Sequence, residues 1–153
     1  MDRSRHPTER ANFQELFQRE FPDLGDVYEV IEPGTGRYNC IAHSLGLDDE
    51  WVNPQTGPKN APLAAMDRIY EEVGYTRSST IDFCSEPDTQ KVVLYAIAAA
   101  DGTVKSVTHA AIQDQFGSWE SKLGCGPLLR HPTPDALNGS RYGKPVAVYI
   151  RTQ

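Results

Sequence analysis

The run Lys91-Val92-Val93-Leu94-Tyr95-Ala96-Ile97-Ala98, followed by Asp101-Gly102 and then 103–114, decides the fold. β-branched and aromatic residues dominate the run, as a strand requires. Asp-Gly between two such runs signals a hairpin, because a tight type I′ turn needs positive φ at both central positions. Phe116-Gly117 marks a second turn into 118–123, so three strands form an antiparallel meander. Asn138-Gly139 then leads to a last strand over 145–150.

Upstream the pattern changes period. Phe13, Leu16, Phe17 and Phe21 share one face of a helix over 9–21, with Thr8 as its cap. Residues 27–30 alternate like a short strand. A second helix is predicted over 60–73, with Asn60 as cap, Pro62 in the first turn, and Leu63, Met66, Ile69 and Val73 on one face. The charges on its other face are those of a solvated surface. Helices first and an antiparallel sheet after them predict an α+β class, with N-terminal helices packed on a C-terminal sheet. One domain spanning 1–153 is expected, residues 1–7 being flexible.

Composition narrows the functional classes. At 153 residues, 39% hydrophobic and 24% charged, the chain can bury a core without disulfide or metal. A net charge of −6 with scattered Lys and Arg argues against nucleic acid as a partner. The longest apolar run is too short to cross a bilayer, and no apolar segment follows the basic start, so a cytoplasmic protein is expected, export by another route aside. Three cysteines, Cys40, Cys84 and Cys125, fit neither a disulfide framework nor a zinc site, and no cofactor or metal is expected. Cys40-x-x-His43 could bind a metal only with help from Cys84, Cys125 or His131, and no second paired motif supports that.

The candidate chemistry lies in Tyr38-Asn39-Cys40-Ile41-Ala42-His43-Ser44-Leu45-Gly46. A turn at Pro33-Gly34-Thr35-Gly36 delivers Cys40 to the first turn of a short helix capped by Asn39 and stopped by Gly46. A thiol at a helix start is exposed to unpaired N–H groups that favour the thiolate. A cysteine is also among the residues most often buried and inert. Thr108-His109-Ala110-Ala111 weighs against that second reading, because an imidazole on a strand packed against the helix start could take the thiol proton and return it to a leaving group. Taken alone, His109 reads as a hydrogen-bonded strand histidine rather than a catalytic one, and Trp119 as a core residue rather than a substrate platform.

These blocks, with Trp119-Glu120-Ser121-Lys122-Leu123-Gly124, His131, Thr133-Pro134-Asp135-Ala136-Leu137 and Tyr142-Gly143, resemble an uncharacterised bacterial domain family carrying YNCIAW, HAA and WxSKLG signatures. His43 stands where that pattern has Trp. More widely, the order of Cys on a helix and His on a strand resembles papain-like cysteine enzymes of the NlpC type. The resemblance implies a papain-like fold and a hydrolase or acyl transferase acting on an amide or peptide bond. It implies Cys40 as nucleophile, His109 as base and acid, and Ser121 (or Glu120) as the orienter of the imidazole. Ideal hairpin pairing would instead put Glu120 or Lys122 on the face of His109, unless a bulge intervenes. Asn39, Trp119 and Glu120 are the candidate substrate-binding residues, and the expected partner is a peptide or protein substrate, with a bacterial toxin or effector domain as one context. The alternative is a non-enzymatic binding module that keeps the fold.

Overall fold

The computed structural model describes residues 7–153; the expectation of flexibility for the chain start falls, apart from Pro7, outside the described residues. Seven strands form one sheet in which every pairing is antiparallel: β1 (Glu29–Glu32), β2 (Thr76–Arg77), β3 (Thr89–Ala98), β4 (Val104–Gln113), β5 (Trp119–Lys122), β6 (Leu128–His131) and β7 (Lys144–Thr152). Their order across the sheet is β1-β6-β5-β4-β3-β7-β2. Among the described residues three helices accompany it, α1 (Pro7–Glu20), α2 (Cys40–Ser44) and α3 (Ala64–Glu71), with a 3-10 turn at Pro134–Leu137.

The hairpin read from Asp101-Gly102 is present: Gly102 takes φ +87°, and the N–H of Ala99 donates to the carbonyl of Thr103 at 2.8 Å. β3 is central, so both of its faces are buried and its apolar run is continuous rather than alternating. Val93 and Tyr95 face Phe17, Phe21 and Leu137 on the α1 side, while Val92 and Leu94 face Ile41, Met66 and Tyr70 on the side of α2 and α3. Each such side chain, fully buried, is worth about 2 kcal/mol against leaving it in water.

The architecture corrects the expected papain-like α+β fold with N-terminal helices laid on a C-terminal sheet. The molecule is a β-rich, seven-stranded antiparallel sheet with few and short helices. The first half of the chain builds both edges of the sheet, because β1 pairs with β6 and β2 with β7. The second predicted helix shrinks to eight residues, since 58–63 forms turns in which Ala61 donates to Pro58 and Ala64 to Ala61, and Leu63 stands at the cap without a side-chain bond. Thr8 lies inside α1, which starts one residue earlier. Among the described residues no helix is long and apolar enough to cross a membrane.

Candidate active site

Cys40 begins α2 because Asn39 holds the helix start. Asn39 is extended (φ −121°, ψ −172°), and its Oδ1 accepts the N–H of Ala42 at 3.1 Å. The same Oδ1 accepts the N–H of Val52 at 3.1 Å, and Nδ2 donates to the carbonyl of Val52 at 2.7 Å, so the loop after α2 is tied to its first turn. With 2% of its surface exposed, Asn39 spends its amide on scaffolding rather than on a substrate.

The Cys40 thiol is 6% exposed and packs among Ile41, Leu94 and Ala110. Burial pushes it up to about 11, against the opposing pull of the N–H groups of Ala110, Ile41 and Cys40 itself and of the Lys122 ammonium. The sequence expectation of an activated thiol is corrected accordingly: α2 has five residues, too few aligned peptides to build a dipole that outweighs desolvation. β4 explains the neighbour. On its β5 side it is paired only at Ile112 and Gln113, which leaves the backbone at 109–110 free on that flank, where α2 packs.

His109 is completely buried, and neither ring nitrogen has a hydrogen-bond partner. Its ring stacks on Tyr142 with centroids 4.0 Å apart and planes 7° from parallel, and lies 5.1 Å from the Tyr95 ring. Directly opposed residues of an antiparallel pair share a face. His109 opposes Tyr95 and Ala110 opposes Leu94, so the imidazole belongs to the α1 side and the thiol to the α2 side. The structure thus brings Cys40 to the peptide that follows His109 but makes no thiol–imidazole hydrogen bond. A register shift at Thr108, with Tyr95 opposite His109 and Ala96 opposite Val107, sets which way the imidazole turns. Desolvation holds His109 well below the usual imidazole value, so it is neutral.

Ser121 does share the face of His109, because Gln113 opposes Trp119 and the alternation continues to Ser121. It orients another imidazole. Ser121 Oγ lies 2.8 Å from His131 Nε2, and His131 Nδ1 lies 2.8 Å from the carbonyl of Thr133. A carbonyl can only accept, which assigns the proton to Nδ1 and makes Ser121 the donor to Nε2. Burial lowers the pKa of His131 to about 4. Trp119 is 1% exposed and sits edge-on to Phe83, a core residue with no face for a substrate. Glu120 points the other way, where its Oε1 meets His43 Nε2 at 2.9 Å. Both groups are partly exposed, three residues along α2 from the thiol. Among the described residues no three of His, Cys, Asp or Glu lie together as a metal site would need.

Sequence reasoning missed two participants: His131 as the partner of Ser121 and Tyr142 as the cover of His109. Tyr142 is held by its loop. Gly139 and Gly143 exchange N–H···O bonds of 3.1 and 2.9 Å, Gly143 at φ +76°, and Arg141 pairs with Glu20 of α1 at 2.9 Å.

Residues 29–150 match a family model described as a domain of unknown function, DUF7689. The chain belongs to this family. Every residue of the DUF7689 site described above, from Asn39 to Tyr142, lies inside the matched span; only Glu20, which holds the cover loop, lies outside it. No curated protein and no solved structure matches the chain.

Proposed function

We propose that this DUF7689 domain is a cysteine-dependent hydrolase or acyl transferase acting on an amide or peptide bond, with Cys40 as nucleophile and His109 as its base, held in a closed resting form. The observation that carries the reading is the pair of unpartnered nitrogens on a fully buried imidazole, one peptide bond from the residue that packs against the thiol. A buried polar group without a partner costs about 1–3 kcal/mol, and such groups are kept where a function uses them. The N–H groups of Cys40, Ile41 and Ala110 around the sulfur would serve the oxyanion of a tetrahedral intermediate. The reaction requires that Tyr142 leave the imidazole and that β4 shift at its irregular register around Thr108 to turn His109 to the face of the thiol. The thiol proton then passes to His109, the sulfur attacks the carbonyl, the imidazolium returns the proton to the leaving amine as the C–N bond breaks, and water or an acceptor amine releases the acyl group from the sulfur. A cytoplasmic setting, where thiols stay reduced, suits this chemistry.

A second reading, a non-enzymatic binding module, is favoured by the buried, weakly acidic thiol and the missing thiol–imidazole bond. Screening of peptide, amide and isopeptide substrates with wild type, Cys40→Ala and His109→Ala separates the two. The enzyme reading expects both variants to lose all turnover, and the double variant to be no worse, because nucleophile and base act as a unit. Turnover that survives in Cys40→Ala sinks it.

A further inference from the structure

The α1 face that carries Phe13, Leu16, Phe17 and Phe21 is only partly covered. Phe17 and Phe21 are buried, while Phe13 and Leu16 are half-buried. They face Leu123 and Pro127, in the turn between β5 and β6, across a cleft of about 170 Å³. A cavity of nearly that size, about 150 Å³, takes one benzene ring when its walls are apolar. The turn that forms the far wall is fixed in place. Gly126 donates to the carbonyl of Leu123 at 2.7 Å and Leu123 to that of Pro127 at 3.1 Å, while the buried Lys122 ammonium ties the carbonyl of Gly124 to that of Thr35. A pre-formed, mostly apolar cleft with a few placed polar groups is the usual form of a small-ligand site.

Among the described residues the polar side chains lining this cleft are Glu20, Arg141 and Cys125. Glu20 and Arg141 do not balance each other in donors and acceptors. Both oxygens of Glu20 accept from a single nitrogen, Arg141 Nη1, at 3.3 and 2.9 Å. A guanidinium carries five N–H donors, and the Tyr142 hydroxyl is its other polar neighbour. Both carboxylate oxygens are thus turned onto a group whose donors outnumber them. The Arg141 side chain is 47% exposed, so the remaining donors are open to solvent. An incoming carboxylate finds N–H groups there, in the planar geometry that suits it. An incoming cation finds the one carboxylate of the cleft already paired.

We propose that this cleft binds an apolar carboxylate, with a ring or short alkyl chain held between α1 and the β5–β6 turn and the carboxylate on Arg141. A free aryl or alkyl carboxylic acid offers that chemistry, and so does the C-terminal residue of a peptide. Phe21 also touches Tyr142, with centroids 5.5 Å apart, and Tyr142 follows Arg141 in the loop that covers His109. A ligand seated here lies against that loop on the α1 side of the sheet. Cys40 packs on the other side and takes no part in the binding.

Cys125 reports on the site, because its thiol is exposed and lines the cleft, whereas Cys84 is exposed and does not line it. The full chain is alkylated with iodoacetamide, alone and with hydrocinnamate, and peptide mapping gives both rates. At about ten times its Kd the acid should slow Cys125 about tenfold and leave Cys84 unchanged. Hydrocinnamamide, the same shape without the charge, should protect far less. N-acetylglycylphenylalanine tests the peptide source. Stronger protection by it than by the free acid assigns C-terminal residues, and protection by the free acid alone assigns small acids. Arg141→Gln should erase the preference for acid over amide, and Leu16→Asp should abolish protection by both. Equal protection of wild type by acid and amide overturns the proposal, as does equal slowing of Cys84, or no protection of Cys125 up to the solubility limit of both acids. These wild-type outcomes decide the matter whether or not a variant folds.

Discussion

His109 and Tyr142 lie ring on ring, centroids 4.0 Å apart, and this contact covers one side of the buried imidazole. Tyr142→Ala should open that side. Loss of a buried aromatic costs about 3–5 kcal/mol, so the melting temperature should fall by several degrees or more. At the same time diethylpyrocarbonate should modify His109 faster at 20 °C, where the variant is still folded. An unchanged modification rate would mean that Tyr142 is not the cover.

The thiols rank in a definite order. Cys84 and Cys125 are exposed, whereas Cys40 is buried with its pKa pushed up to about 11. Iodoacetamide at pH 7 should therefore label Cys84 and Cys125 well before Cys40, the reverse of what a helix-start thiolate would give. Peptide mapping by mass spectrometry reads the order.

Asn39 carries three hydrogen bonds that join α2 to the loop at Val52. Asn39→Ala should cost about 1–3 kcal/mol by losing the cap and stranding backbone groups. Asn39→Asp keeps the acceptor and loses only the donor to Val52, so its denaturation midpoint should fall between those of Ala and wild type.

Acid should destabilise the fold through its two buried histidines. Both have folded-state pKa values depressed below the unfolded value near 6.5, His131 to about 4 and His109 well below its usual value, in each case by burial. For a base depressed by folding, the unfolded chain binds the extra proton, so stability is intact above about pH 6.5 and declines as pH falls toward the folded value. Each histidine contributes up to about 1.4 kcal/mol per pH unit in that window. Urea denaturation at pH 7, 6 and 5 should show the decline, and His109→Phe should flatten it. An identical slope in that variant would remove His109 from the account.

Much of the sheet was legible because its signals are local. Asp101-Gly102 and Phe116-Gly117 are turns, and the runs around them are strands, β3 to β5 in meander order. β6 was not, since Leu128–His131 is four residues set between Gly126-Pro127 and Pro132, and its strand character comes only from pairing with β5 and β1. β2 is two residues long and exists only through β7. For the candidate site, the sequence pointed to Cys40 at a helix start capped by Asn39, and both are so placed. It could not say on which face His109 falls, because that turns on one extra residue, Thr108, in the register of β4 against β3. Nor could it show that Ser121 would find His131, a partner reached only across the β5–β6 pairing where Trp119 opposes His131.

The two edges of the sheet have a consequence for the molecule in a crowded solution. An open edge strand offers unpaired N–H and C=O groups to any other extended chain, which is how aggregates seed. Here the outermost strands are only four and two residues long, and they carry Glu29 and Glu32 on one side and Arg77 on the other. Glu29 is clamped to Arg130 at 3.1 Å and Arg77 to Asp67 at 3.2 Å, so charge is fixed at both borders. The long apolar strands β3 and β4 lie in the interior of the sheet, away from its borders. The brevity of β1 and β2 leaves little open edge on which another extended chain could pair.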